Sequence, residues 1–286
     1  MNFQDIKKLF LRFWRSDDKK ISLLRDVFVA VIVIFILFML LWAYTGQWFG
    51  VPLVAIESGS MMHENEPFGR IGTIDAGDMV LLVKVNKNSD IMTYANAEAQ
   101  GNKGLKTYEN YGDVIVYRKY GDPKEDQIIH RAMCYVDVEI INGSKVYTIK
   151  EYNITRQKSL YIPELGITID NKPISPSWSH SGFITKGDNP RTNPTCDQTG
   201  GICNELIKLE WISGKARGEI PWIGTINLFF NDLMGGSFWD GTKEVTVVNV
   251  NSDCIICLTI LLAVLISIPV ILDVYDYYRT KKKQQP

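Results

Sequence analysis

Ser60 lies in the short polar turn Ser58-Gly-Ser-Met61, which follows the apolar run 51–56. A turn at the end of a strand presents its hydroxyl to a ligand instead of to the core. A serine hydroxyl is a weak nucleophile at neutral pH, and it becomes reactive when an adjacent base removes its proton. The pattern therefore predicts nucleophilic catalysis at Ser60, provided that the rest of the chain brings a base to it.

The candidate bases are the three histidines of the chain, His63, His130 and His180. His63 lies in the same turn as Ser60, where an in-line hydrogen bond is difficult to form. His180 lies in a loop rich in serine and proline, a setting typical of an exposed residue. His130 is a polar residue within an apolar strand pattern, and a strand holds its side chains rigidly. The residue types alone leave His130 open to two interpretations, a hydrogen-bonded core residue and a base.

Two long apolar segments, 27–44 and 254–272, contain no charged residue. A helix of that length, at about 1.5 Å per residue, matches a bilayer hydrocarbon thickness of about 30 Å. Lys and Arg are concentrated before the first segment and after the second, so the positive-inside rule predicts both termini in the cytoplasm. A cleaved signal peptide is the alternative for the first segment, but its apolar part is long and no Ala-x-Ala-like site follows.

These segments predict five parts of the chain. They are a basic cytoplasmic segment 1–26, a transmembrane helix 27–44, an extracytoplasmic domain 45–253, a transmembrane helix 254–272 and a basic cytoplasmic tail 273–286. In the outer domain short strand patterns alternate with turns, and Asn142-Gly143 predicts a β-hairpin. Segments 88–111 and 156–181 are predicted insertions. The fold class is therefore mainly β, with a β-rich outer domain between an N-terminal and a C-terminal transmembrane helix.

Composition limits the other classes of function. The chain has a formal net charge of −1, and its basic termini carry +3 and +2, so the outer domain carries −6, which excludes nucleic acid as a partner. Cys196 and Cys203 frame a loop in a compartment that permits disulfides, and both a bridge and free thiols are open. Asn142 and Asn153 begin glycosylation sequons. No cofactor or metal is expected, because the pair Cys254 and Cys257 has no second pair to complete a zinc site.

Six short blocks occur in the order found in type I signal peptidases, which this chain resembles. The blocks are Ser58-Gly-Ser-Met61, Gly77-Asp78-Met-Val, Gly112-Asp-Val-Ile-Val-Tyr-Arg118, Ile129-His-Arg131, Thr185-Lys-Gly-Asp-Asn189 and Gly218-Glu-Ile-Pro-Trp-Ile-Gly224. Bacterial members of that family have a lysine base in the block that holds His130 here, whereas the archaeal and endoplasmic-reticulum branch has histidine. The chain is therefore similar to the Ser-His branch and is expected to have a signal-peptidase-like catalytic domain.

The resemblance implies a role for each matched polar residue. Ser60 is the nucleophile, His130 the general base, and Ser58 a donor to the oxyanion together with the backbone N–H of Ser60. Asp197 is the preferred residue to orient the histidine, and Asp188 of the Gly-Asp-Asn motif is an auxiliary or a turn residue. Two departures concern the loops. Asp197 follows Asp188 by nine residues, a longer spacing than the family pattern, and the chain lacks an early proline after Met61.

By the same resemblance the chain is expected to be a membrane-bound serine endopeptidase that removes signal peptides from exported preproteins. Its expected partners are signal peptides, the lipid bilayer and translocon or accessory subunits, in the cell membrane or, in a eukaryote, the endoplasmic-reticulum membrane. Ser60 follows the first apolar segment by 16 residues, which predicts an active site near the bilayer surface. Two other interpretations remain: a non-catalytic two-anchor receptor or scaffold, and a processing protease with narrow substrates.

Overall fold

The computed structural model describes residues 13–14, 18–48, 52–63, 70–168, 170–226, 255–264, 266–267, 271 and 275. The chain divides into two compact units, Met1–Pro52 and Leu53–Pro286. The first unit holds one long helix, and the second holds the strands and the candidate catalytic residues.

Helix α1, Lys19–Thr45, is long and apolar enough to cross a membrane. Its N-cap is Asp18, whose side chain accepts a hydrogen bond from the backbone N–H of Lys20 at 2.8 Å. It ends at Gly46, which adopts the left-handed conformation with φ of 68°. Near the C-terminus, Ile255–Val264 form a shorter apolar helix. The predicted second span, 254–272, lies partly outside the described residues.

The described residues of the second unit include ten strands and two short helices, in addition to the helix Ile255–Val264. The strands are β1 Leu53–Ala55, β2 Met79–Val83, β3 Lys106–Thr107, β4 Asn110–Tyr111, β5 Val114–Arg118, β6 Gln127–Ile141, β7 Ser144–Ile149, β8 Ile154–Gln157, β9 Gly182–Lys186 and β10 Ile212–Ile220. The helices are α2 Tyr94–Ala99 and α3 Asp197–Gly200. The mainly β class predicted from the sequence is confirmed.

Eight of the strands form one antiparallel sheet in the order β1-β2-β10-β5-β6-β7-β8, with β9 also paired to β6. Strand β6 organises this sheet because it has three partners along its length. It pairs with β5 from Gln127 to Arg131, with β9 from Arg131 to Val136 and with β7 from Asp137 onwards. The predicted hairpin after β6 is confirmed: Asn142 and Gly143 both have positive φ, 53° and 75°, as a type I′ turn requires.

The two predicted insertions are packed onto the sheet. Segment 88–111 contains α2 and the small β3–β4 hairpin, whose turn residues Tyr108 and Glu109 both have positive φ. Segment 156–181 is largely irregular, as its proline content predicts. It nevertheless buries Leu160 and Ile162 in the apolar core, which also includes Val136 and Ile149 from the sheet. Burial of these side chains anchors the irregular segment beside β6 and β7.

Candidate active site

Ser60 and His130 line the same cavity, which has a volume of about 610 Å³. One wall is formed by β1 and the residues after it, through Val54 and Ser58. The first residues of β6, including Ile128, also line it. Ser60 and His130 are 70 positions apart in the sequence, and the sheet brings them to one cavity.

His130 is held rigidly on β6, where it lies opposite Ile115 of β5 and is 3% exposed. Its Nδ1 atom is 2.8 Å from each carboxylate oxygen of Asp197. An ionised carboxylate is an acceptor, so this contact assigns the proton of the neutral ring to Nδ1. The lone pair is then on Nε2, the atom that a base needs for proton abstraction.

Asp197 begins helix α3 and is completely buried. In addition to His130, it accepts hydrogen bonds from the hydroxyl of Tyr117 at 2.7 Å and from that of Thr185 at 2.6 Å. Burial, together with the adjacent carboxylate, raises the pKa of Tyr117 well above its usual value, so its hydroxyl stays a donor. Three donors therefore satisfy the buried charge and fix the position of Asp197.

A turn after β9 holds the loop of Ser60. The backbone N–H of Asn189 donates to the carbonyl oxygen of Ser60 at 2.9 Å, and its side-chain amide donates to that of Gly59 at 2.8 Å. Gly187 makes this approach possible, because a Cβ atom there would lie 2.6 Å from the Ser60 carbonyl oxygen. The Gly-Asp-Asn motif thus supports the loop that carries the hydroxyl.

Ser58 is next to the hydroxyl of Ser60. Its Oγ donates a hydrogen bond to Ser60 Oγ at 3.3 Å. The Ser60 hydroxyl is not hydrogen-bonded to His130 in this arrangement. Both side chains face the same cavity, however, and hydrogen bonds between catalytic groups commonly tighten when substrate is bound.

Asp188 is placed differently from Asp197. It forms an ion pair with Arg131, whose Nε atom is 2.8 Å from Asp188 Oδ1. Arg131 is completely buried and also donates to the carbonyl oxygens of Thr107, Tyr111 and Gly112. Asp188 therefore links the turn after β9 to the β3–β4 hairpin, and it makes no contact with His130.

The two other histidines lie outside the cavity. His63 Nε2 is 3.7 Å from Asp188 Oδ2, and its Nδ1 is 3.9 Å from Glu109 Oε2. His180 Nε2 is 3.6 Å from Glu205 Oε2, and its ring packs against Trp211. Neither histidine is placed to remove a proton from Ser60, which leaves His130.

Cys196 and Cys203 are both buried and both free thiols, so the disulfide considered from their spacing is not formed. Cys196 Sγ contacts the Thr199 hydroxyl at 3.3 Å, and Cys203 Sγ donates to the Glu205 carbonyl at 3.6 Å. Burial raises the pKa of both thiols, which keeps them protonated at neutral pH. Asp197, between them in sequence, is held by hydrogen bonds instead of a covalent bridge.

Three polar residues of the site were missed by sequence reasoning. Tyr117 and Thr185 belong to blocks that carry the family resemblance, and that position was the available signal for them. Asn193, which also lines the cavity, lies in the longer loop between Asp188 and Asp197 and had no signal of this kind. Within the described ranges, no group of three or more side chains is suited to hold a metal ion.

Comparison with known proteins finds no family model and no curated sequence that matches this chain. The resemblance to type I signal peptidases therefore stays a prediction from the blocks. What bears on function is the geometry of the cavity and of the residues around it.

Proposed function

We propose that this chain is a membrane-anchored serine endopeptidase of the type I signal peptidase kind, which cleaves signal peptides from exported preproteins. The observation that carries the proposal is the position of His130. Its Nδ1 is bound to the buried carboxylate of Asp197, while the ring lines the cavity that also contains Ser60. A serine, a histidine and an orienting carboxylate in this relationship are the parts of a nucleophilic hydrolase.

In the proposed reaction the Ser60 hydroxyl exchanges its contact with Ser58 for His130 Nε2 as substrate fills the cavity. Nε2 takes the hydroxyl proton while Ser60 Oγ bonds to the scissile carbonyl carbon. The resulting oxyanion is held by the backbone N–H of Ser60 and the hydroxyl of Ser58. The C–N bond then breaks, and the leaving amine receives the proton from Nε2. Water, activated by the same nitrogen, hydrolyses the acyl-enzyme and regenerates Ser60.

Two strand edges that no other described strand pairs with favour an extended peptide as the substrate. Strand β1 is at the end of the sheet and pairs with β2 on one side. Residues 127–130 of β6 pair with β5 on one side, and no described strand pairs with them on the other. Both edges border the cavity, through Ala55 and Ile129 among others. A peptide between them can form main-chain hydrogen bonds as an added strand.

Anchoring by helix α1 is consistent with a substrate that is being exported. The proposal includes the second anchor at 254–272, both termini in the cytoplasm and the β-rich domain outside, as the distribution of basic residues predicts. Signal peptides, the lipid bilayer and accessory subunits of a translocon are the proposed partners.

Cleavage of a preprotein by the purified full-length chain tests the proposal. Wild type is expected to release the mature protein, whereas Ser60→Ala and His130→Ala are expected to lose cleavage, and Ser60→Ala is expected to melt at a temperature close to that of wild type. Ser58→Ala is expected to retain a reduced rate, about 100- to 1000-fold lower, because one oxyanion donor is lost. Equal cleavage by wild type and Ser60→Ala would refute the proposal. Absence of cleavage by wild type, with the domain folded, would favour the receptor or scaffold.

A further inference from the structure

Asn193 presents an unused pair of hydrogen-bond donors to the catalytic cavity. It lines the cavity and is 5% exposed. Its Oδ1 accepts a hydrogen bond from the Thr192 hydroxyl at 2.8 Å, and its backbone N–H donates to the carbonyl of Asn189 at 2.8 Å. Its Nδ2 makes no hydrogen bond to any of the described residues. Nδ2 is not among the fully buried atoms that lack a partner, so solvent reaches it and an acceptor on a ligand can take the place of water there.

The orientation of this amide follows from the contacts of its oxygen. Oδ1 lies 2.7 Å from the position that a Cβ atom of Gly187 would take, and it also accepts from Thr192. Nδ2 is bonded to the same carbon as Oδ1 and lies on the other edge of the amide. Because Asn193 lines the cavity, solvent and substrate reach Nδ2 from there.

Asn193 is close to the backbone of the proposed nucleophile. Its Cγ atom and the carbonyl oxygen of Ser60 each lie 2.6 Å from the position that a Cβ atom of Gly187 would take. The two atoms are therefore at most twice 2.6 Å, or 5.2 Å, apart. Hydrogen bonds fix this proximity, since Asn189 donates to Ser60 and Asn193 donates to Asn189. The amide is therefore preorganised beside Ser60 before substrate arrives.

The acceptor that every productive substrate brings to this place is the scissile carbonyl oxygen, because Ser60 must attack the carbon bonded to it. The geometry points to Asn193 as a further catalytic residue, whose Nδ2 donates to that oxygen as it becomes an oxyanion. This inference rests on the proposed function. It adds a side-chain amide to the Ser60 N–H and the Ser58 hydroxyl. Because the negative charge on the oxygen grows in the transition state, the hydrogen bond strengthens there more than in the ground state.

The test is steady-state cleavage of a preprotein by the full-length chain and its Asn193→Asp variant. The substitution keeps the size and the acceptor oxygen and removes the donors. We expect kcat to fall about 100-fold, with KM within about twofold of wild type. Asn88→Asp is a matched control, because Asn88 donates to Tyr135 and does not line the cavity, and it should leave both constants unchanged.

A second measurement separates the oxyanion contact from substrate binding. A peptide aldehyde of the cleavage-site sequence adds to Ser60 Oγ and forms a tetrahedral hemiacetal, in which the former carbonyl oxygen occupies the oxyanion position. Asn193→Asp is expected to weaken this inhibitor at least tenfold and to leave binding of the same peptide with a reduced, uncleavable bond unchanged. Should Asn193→Asp lower the melting temperature, Asn193→Ser, which keeps the backbone bond to Asn189, is expected to show the same loss of kcat and of aldehyde affinity.

Three results would overturn the inference. They are unchanged kcat in folded Asn193 variants, a loss confined to KM, and equal weakening of the aldehyde and of the uncleavable peptide. Each differs from failure of the proposed function itself, in which wild type would cleave no better than Ser60→Ala. If wild type and the Asn193 variant cleave equally well, the proposed protease function stands and Asn193 has no part in its mechanism.

Discussion

His130 and Arg131 are neighbours on strand β6, and each is paired with a different aspartate. His130 contacts Asp197 at 2.8 Å, whereas Arg131 forms its ion pair with Asp188. Successive side chains of a strand point to opposite faces, so one strand sends the base towards one carboxylate and the cation towards the other. This alternation predicts different consequences for the loss of each aspartate.

Asp197→Asn is expected to abolish most activity while the domain stays folded. The amide preserves the shape but no longer fixes the proton of His130 on Nδ1, and the same change in a serine protease triad lowers kcat about 10⁴-fold. Steady-state cleavage of a preprotein measures the loss, and circular dichroism checks the fold. A variant that keeps a tenth or more of the wild-type kcat would contradict the orienting role.

Asp188→Asn is expected to act mainly on stability. Arg131 is completely buried, and removal of the charge that faces it leaves an uncompensated guanidinium, at a cost of about 3–5 kcal/mol. Urea denaturation measures the free energy of unfolding. The double variant Asp188→Leu with Arg131→Met removes both charges and is expected to recover part of the loss. A single variant as stable as wild type would show that the pair contributes nothing.

The same aspartate predicts a dependence of stability on acid. Burial opposes ionisation of Asp188, but the hydrogen bonds and charge of Arg131, with His63 nearby, outweigh it and lower its pKa below the ordinary 3.8. A lowered pKa stabilises the folded state above 3.8, and this stability is lost as pH falls through the folded value. The free energy of unfolding should therefore drop more steeply below about pH 4 in wild type than in Asp188→Asn. Parallel curves would reject this origin.

Glu219 predicts the opposite dependence. Burial is the main cause that raises its pKa to about 7, and its Oε2 atom is buried without a hydrogen-bond partner among the described residues. A raised pKa stabilises the folded state below the ordinary 4.5, and the contribution is lost as pH rises through about 7. Glu219→Gln mimics the protonated form, so its melting temperature should change less than that of wild type across this range. An identical slope in both proteins would contradict the assignment.

Gly187→Ala is expected to lower activity by displacing the loop of Ser60. The added Cβ would lie 2.6 Å from both the Ser60 carbonyl oxygen and Asn193 Cγ, well inside contact distance. Overpacking of this kind costs about 1–3 kcal/mol, and the backbone shift would misplace the hydroxyl. In the control Gly200→Ala, the nearest atom is the Thr195 hydroxyl at 3.0 Å, which is at the end of a side chain and can move. The rate of preprotein cleavage by the two variants, compared with wild type, gives the result.

The strands were predictable because their signals are local. Alternating apolar residues and the Asn142-Gly143 turn identify β6 and β7, and the structure places β6 at Gln127–Ile141, directly before that turn. The order of the sheet was not predictable from such patterns. It pairs β2 with β10 and β6 with β9, which are far apart in sequence. Such long-range pairing depends on how the whole core packs, which the pattern of one short segment does not indicate.

Site residues of a type that is rare in this chain could be predicted, whereas those of a common type could be predicted only in part. Three histidines could be compared one by one, whereas Asp197 could only be preferred to Asp188 through the family resemblance, because their roles depend on which face of β6 each meets. The Cys196 and Cys203 spacing permitted a bridge, but α3 lies between the two thiols in sequence, and they have different partners, the Thr199 hydroxyl and the Glu205 carbonyl. Asn193 acquires its position from backbone bonds within a loop, which composition does not reveal.

The two open strand edges beside Ser60 give the proposed enzyme a means of timing. A cleft bordered on both sides by backbone donors and acceptors accommodates one stretched polypeptide, whereas a helix is too wide and a hairpin has already used its own partners. Selection then depends on chain conformation as well as on side chains. A newly exported protein would be cut while the segment around its cleavage site is still unfolded. Once that segment has folded, it would no longer fit the cleft and would not be cleaved.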